Sequence, residues 1–188
     1  MKNSTVTSAL LLSSFLAAPS LHAGTVANSS SDPVAVRPTT SGRGHLVTTM
    51  ERGEGGVIRI PLTIDLSDVT TDGRLAVLGA YIVAFDFDRT KVAFVGVARG
   101  EAPEFTLVPA CTPVTKANEL GLVKIVGDQG TENLPTGVIS VAVVTFRELT
   151  PGGAATIKPR IEGLASSLRK NREGHFPSDL TIPADPAK

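Results

Sequence analysis

The chain has 188 residues, and its 18 Lys and Arg balance its 18 Asp and Glu, so no net field draws it to nucleic acid or to an anionic membrane surface. A single cysteine, Cys111, excludes an internal disulfide and a cysteine-based structural zinc site, and its default role is a small buried apolar residue. With no Trp and one Tyr, the composition offers little for stacking against sugars.

Lys2 precedes the apolar run from Ala9 to Ala18, which is followed by Pro19 and small residues ending at Ala23. That order reads as a secretory signal peptide over residues 1–23, and the run is well short of the roughly 20 apolar residues that span a bilayer. Leu21 fits the minus-three position less well than alanine, which leaves Ala27 as a second cleavage site. No second hydrophobic span follows, and the last residues carry no sorting or lipid-anchor signature. The expectation is a secreted or periplasmic protein. Residues 24–44, rich in Ser, Thr, Pro and Gly, read as a flexible linker, and Asn28-Ser29-Ser30 fits an N-glycosylation acceptor.

From His45 to residue 185 the chain reads as one domain, with a period of two and no sustained helical spacing. Its clearest strand covers residues 57–66, where Ile58, Ile60, Leu62, Ile64 and Leu66 share one face and Arg59, Thr63 and Asp65 the other. Pro61, on the polar face, cannot donate to a ladder and predicts an edge strand or a bulge. Further strands are predicted over 45–50, 77–87, 92–98, 122–126, 138–146, 155–161 and 179–182. Segments such as Asp72-Gly73, Asp88-Arg89-Thr90 and Pro151-Gly152-Gly153 supply the turns. Residues 80–87 and 138–146 are apolar on both faces, which predicts central strands. The class is therefore all-β, a two-sheet sandwich of about nine strands. The long connection over 99–121, with Pro103, Pro109 and Pro113, is the least regular part.

Catalytic constellations are missing from this pattern. The sequence has no glycine-flanked serine elbow and no phosphate loop with its lysine. Beyond the signal segment, His45 and His175 stand without a His, Cys or carboxylate at metal-ligand spacing. Asp86 and Asp88 could share a cation, but calcium normally needs about six oxygen ligands, so the better reading caps the turn before Val92. Arg169-Lys170-Asn171-Arg172 reads as an exposed hairpin tip, too small a cluster for strong polyanion binding. Glu101, Glu104, Asp128 and Glu132 sit in loops, and nothing selects a pair for glycoside hydrolysis. No cofactor and no metal are predicted.

The order of motifs resembles a cohesin domain, a bacterial β-sandwich of the carbohydrate-binding-module-like superfamily. The resemblance rests on Gly53-Glu54-Gly55-Gly56 followed by Val57-Ile58-Arg59-Ile60-Pro61-Leu62. It continues through Leu78-Gly79-Ala80-Tyr81-Ile82-Val83-Ala84-Phe85-Asp86, Val92-Ala93-Phe94-Val95-Gly96-Val97-Ala98-Arg99-Gly100, and the strand from Gly137 to Phe146. It implies a jelly-roll sandwich that docks a protein partner such as a dockerin. Leu78 and Ala80 match positions where dockerin-binding cohesins place a polar pair, and Asp128-Gln129-Gly130 is similar to the family's contact loop. Leu78, Ala80, Asp128, Gln129 and Gly130 are accordingly the expected docking residues. With Leu78 and Ala80 apolar, a standard dockerin should bind weakly, and the partner should bring an apolar patch there with a donor near Asp128. The expected function is an exported, non-catalytic recognition module that docks an extracellular or periplasmic protein. The alternative is a polysaccharide-binding or adhesive sandwich, and an enzyme is the third reading.

Overall fold

A computed structural model describes residues 40–129, 133–150, 155–166 and 181–185. Its strands are β1 (Thr40–Ser41), β2 (His45–Thr48), β3 (Glu51–Arg52), β4 (Val57–Asp65), β5 (Thr70–Thr71), β6 (Arg74–Leu75), β7 (Leu78–Phe87), β8 (Val92–Arg99), β9 (Ala110–Cys111), β10 (Leu122–Asp128), β11 (Val138–Glu148) and β12 (Ile157–Ser166). A short helix, α1 (Val114–Leu120), lies between β9 and β10. Two main antiparallel sheets form, one in the order β12-β7-β10-β9 and one in the order β2-β4-β11-β8 with β3 beside β4. A small third sheet, β1-β5-β6, extends the fold through Thr40 and Ser41. Those two residues fall inside the segment that reads as a linker, so regular pairing starts ahead of His45.

Alternation explains the core. Along β4, Ile58, Ile60, Leu62 and Ile64 are buried, whereas Arg59 between them is exposed. Tyr81, Val83, Phe85 and Phe87 of β7 meet Val141, Val144 and Phe146 of β11 in one continuous cluster. Phe146 is at its centre, with ring centroids 6.0 Å from Phe85, 5.2 Å from Phe87 and 5.7 Å from Phe94. Tilted ring pairs at such distances add about 0.5–1.5 kcal/mol each beyond their burial. The Tyr81 hydroxyl donates to the Val141 carbonyl across the sandwich at 3.4 Å. Gly127 leaves room for that ring, since a Cβ on it would sit 2.5 Å from the ring carbons.

β7 and β11 are central in their sheets, as their two apolar faces predict. Pro61 does not mark an edge strand. β4 is flanked by β11 on one side and by β2 and β3 on the other, and Pro61 falls where β2, ending opposite Leu62, hands over to β3, beginning opposite Arg59. The flanking strand is interrupted there, and a bulge in β11 between Ser140 and Ala142 lies just beyond the proline's partner Val143. Thr181 makes only an isolated bridge to Ala165, and residues 179 and 180 of that expected strand lie outside the described residues.

The helix departs from the all-β reading of the 99–121 connection. At seven residues, α1 is too short to show a 3.6 period, and only Ala117 is buried. Gly121 ends it in the left-handed conformation at φ 68°, and its N–H donates to the Ala117 carbonyl. The helix sits against β8, where Asn118 accepts a hydrogen bond from the Phe94 N–H at 2.7 Å and returns one to the Phe94 carbonyl at 3.0 Å.

Candidate functional site

The outer face of the β12-β7-β10-β9 sheet is laid out in cross-strand rows. One row is apolar across all four strands: Gly163, Ile82, Val126 and Ala110 are successive partners. Ile82 is 39% exposed and Val126 44%, large values for aliphatic side chains in the middle of a sheet. The next row toward one end holds Ala165, Ala80 and Asp128. Toward the other end come Arg160, Ala84 and Lys124, and then Lys158, Asp86 and Leu122. Rows on one face are two residues apart, about 7 Å along the strands.

Charge on this face is gathered at one end and largely satisfied within it. Lys124 Nζ lies 2.7 Å from Glu162, Arg160 lies 3.0 Å from the same carboxylate, and Arg160 also pairs with Asp86. The hydrogen bond from Lys124, ahead of Arg160, holds the Glu162 carboxyl below its ordinary value. Asp128 stands at the opposite end, beside the apolar row. Burial first, and the Asp128 charge second, raise the Tyr81 phenol well above its usual range and keep it protonated.

Of the expected docking residues, Ala80 and Asp128 lie on this face. Leu78 does not: it is fully buried in the core cluster. The reason is a bulge, because Ala80 pairs with Ala165 and Leu78 with the very next residue, Ser166. Gly79 is the extra residue, and it turns Leu78 from the outer face to the inner one. Gln129 is likewise buried, its N–H donating to the Gly79 carbonyl at 2.9 Å, while its Oε1 accepts nothing among the described residues. Gly130 lies outside the described residues, as do His175 and the basic run over 169–172. Leu78 therefore offers no surface here, and the exposed aliphatic residues of the face are Ile82 and Val126. A hint of that row was present in the sequence: Ile82 and Ala84 alternate with Tyr81, Val83 and Phe85, so an apolar residue had to face away from the core.

The acidic step after β7 behaves as a cap. Asp88 Oδ1 accepts from the Thr90 N–H at 3.0 Å and from the Thr90 hydroxyl at 2.6 Å, and these two bonds hold its carboxyl below the ordinary aspartate value. Asp86, exposed on the outer face, turns to Arg160 instead. Among the described residues, no group of three His, Cys, Asp or Glu side chains comes together as a metal site. Cys111 is half-buried against the core, and burial raises its thiol. Every described aromatic side chain is buried, so this face carries no aromatic platform among the described residues.

Solved structures share this fold. A type I cohesin from the ScaB protein of Pseudobacteroides cellulosolvens superposes with a TM-score of 0.52 at 12% identity, covering 76% of this chain and 86% of the other. The fold here is cohesin-like. A cohesin module from a family 33 glycoside hydrolase of Clostridium perfringens gives a TM-score of 0.50 at 13% identity, covering 78% and 92%. An OlpC cohesin of Clostridium thermocellum, solved in complex with the dockerin Doc435, gives 0.50 at 12%, covering 78% and 90%. The likeness is one of fold. No family profile and no curated protein matches the sequence. The cohesin-like sandwich agrees with the motif order, including the central place of β7 and β11.

Proposed function

We propose that the chain is an exported, non-catalytic docking module that holds a protein partner on the outer face of the β12-β7-β10-β9 sheet. One observation carries this reading: the row Gly163, Ile82, Val126 and Ala110 keeps aliphatic surface exposed in a band across four strands. Aliphatic surface in one band is what a partner can exclude from water, whereas singly scattered residues need no partner. The OlpC cohesin of the same fold was solved with a dockerin bound, which makes a dockerin-like module the first class of partner to try. The match is altered in kind, because Leu78 is buried and Ala80 is apolar where the resemblance expects a polar pair, so a partner with an aliphatic patch and a donor near Asp128 fits best.

Calorimetry against a panel of dockerin modules, with and without calcium, tests this. Dockerins that rely on polar contacts should bind weakly, and any binding should fall about a hundredfold in the Ile82→Asp/Val126→Asp double variant, since each charge would be buried unpaired at the contact. Tight calcium-dependent binding that survives both substitutions would place docking elsewhere on the molecule. Silence from the dockerins together with saturable hits on a glycan array would favour the polysaccharide reading instead.

A further inference from the structure

At one end of the sandwich the turn after β8 and the segment leading into β11 enclose an open groove of about 460 Å³. Both walls are anchored. Glu101 donates its N–H to the Ser140 hydroxyl at 3.3 Å and Ala102 donates to the Ser140 carbonyl at 3.0 Å, while Gly100 is bonded to Val141. On the other wall, the Pro135 carbonyl accepts from Leu78 and the Gly137 carbonyl from Leu66. The groove is thus held open by hydrogen bonds to β11, to β7 and to Leu66 just after β4, and does not have to be assembled when something enters.

Its lining is chemically one-sided. Among the described residues, the only charged ones that line it are Glu101 and Glu104, both acidic, and neither carboxylate meets a cation or a donor there. Glu104 is half-buried. Pro103 lies between them on the same wall, and the other wall brings Leu134 and Val138, 53% and 65% exposed. We propose that this groove binds the cationic side chain, lysine or arginine, of an extended segment of a protein partner. The aliphatic stem lies against Leu134, Pro103 and Val138, and the charged head reaches the two carboxylates. Charge complementarity selects this occupant: an anion would meet two like charges, and a purely apolar segment would cover two carboxylates without giving them a donor. The assignment is independent of the docking face, whose apolar row uses none of these residues.

Amide NMR on the full chain tests it, using three capped tripeptides as probes: glycine-arginine-glycine, glycine-lysine-glycine and glycine-glutamate-glycine. Saturable shifts confined to residues 101–104 and 134–140 are expected with the arginine or lysine peptide, and the stronger of the two identifies the preferred head group. The glutamate peptide should move none of them. In the Glu101→Gln/Glu104→Gln variant the dissociation constant should rise at least about fivefold, with the melting temperature unchanged. Molar salt should weaken the unmodified chain in the same direction, which keeps the test valid if the variant folds poorly. Absence of saturable shifts with both cationic peptides, equal shifts with the glutamate peptide, or a response indifferent to salt and to the double substitution would each overturn the assignment.

Discussion

The two sheets contribute inward faces of the same kind but outward faces of different kinds. On the β2-β4-β11-β8 sheet, the outward row Val47, Thr63 and Ser140 is polar at its centre, and Glu51, Arg59 and Thr145 form another polar row. Between them lie Pro61, Val143 and Ala98, where Pro61 and Val143 are half-buried. On the β12-β7-β10-β9 sheet, Lys124, Arg160, Glu162 and Asp86 pair among themselves at one end, and the aliphatic row beside them has alanines as neighbours. Total hydrophobicity is not what separates the two faces. Segregation is, because a band of exposed aliphatic surface can be covered by one partner and an interrupted one cannot.

The largest effect tests whether both inward faces belong to one core. Ile60→Asp, in β4, puts a charge at a position only 3% exposed and should cost about 4 kcal/mol or more, enough to unfold a domain of ordinary stability. Thr63→Asp, on the outward face of the same strand, should cost about 1 kcal/mol or less. Equal melting temperatures for the two variants would break the assignment of faces on β4.

A smaller effect sharpens the boundary on β7. Leu78→Asn loses a fully buried aliphatic side chain and buries an amide, at a cost of about 3 kcal/mol, whereas Ala80→Asp stands beside Asp128 and should cost about 1 kcal/mol through like-charge repulsion. Chemical denaturation of both variants checks the order. If Ala80→Asp is the more damaging, the Gly79 bulge does not turn Leu78 inward.

The smallest effect separates the faces by the physics of one carboxylate on each. Glu162, on the segregated face, is held below its ordinary value first by the Lys124 hydrogen bond and then by Arg160. Asp65, on the other sheet, is held down by hydrogen bonds from Ser67, with a lesser contribution from His45. A depressed folded value means stability that is present above the unfolded value and is lost as pH falls through the folded one, so both contribute at neutral pH and fade below about pH 4. Salt should erase much of the Glu162 contribution and little of the Asp65 one, because an ion pair is screened and the local hydrogen bonds from the Ser67 hydroxyl and N–H are not. Acid titrations of Glu162→Gln and Asp65→Asn at low and high salt read this out, and identical salt dependence would remove the distinction.

The sequence shows these faces unequally. Alternation in β4 names every buried residue of that strand, because period two needs no knowledge of partners. The doubly apolar stretches mark β7 and β11 as central for the same local reason. What alternation cannot carry is register. The Gly79 bulge moves Leu78 across the sheet, and its cause is the pairing with Ala165 and Ser166, far away in the chain. The same holds for Lys124, Glu162, Arg160 and Asp86, which lie on three strands and become one cluster only once those strands are aligned. Of the two readings of Pro61, the edge strand fails because an interruption in a neighbouring strand accommodates a missing donor as well as a free edge does. The helix escapes because its pattern is shorter than two full repeats of its own period.

The side chain of Asn118 has a consequence for how the molecule meets other copies of itself. Among the described residues β8 ends its sheet, and along Val92–Arg99 it carries no proline and no charge before Arg99, the composition of an edge on which foreign strands can nucleate. By closing both the N–H and the carbonyl of Phe94, the asparagine amide stands in for the next strand at that point and breaks the row of open groups into shorter pieces. One neutral side chain on a short helix thus closes a pair of backbone groups beside the bulge at Val95, the two features that interrupt this edge where charges are lacking.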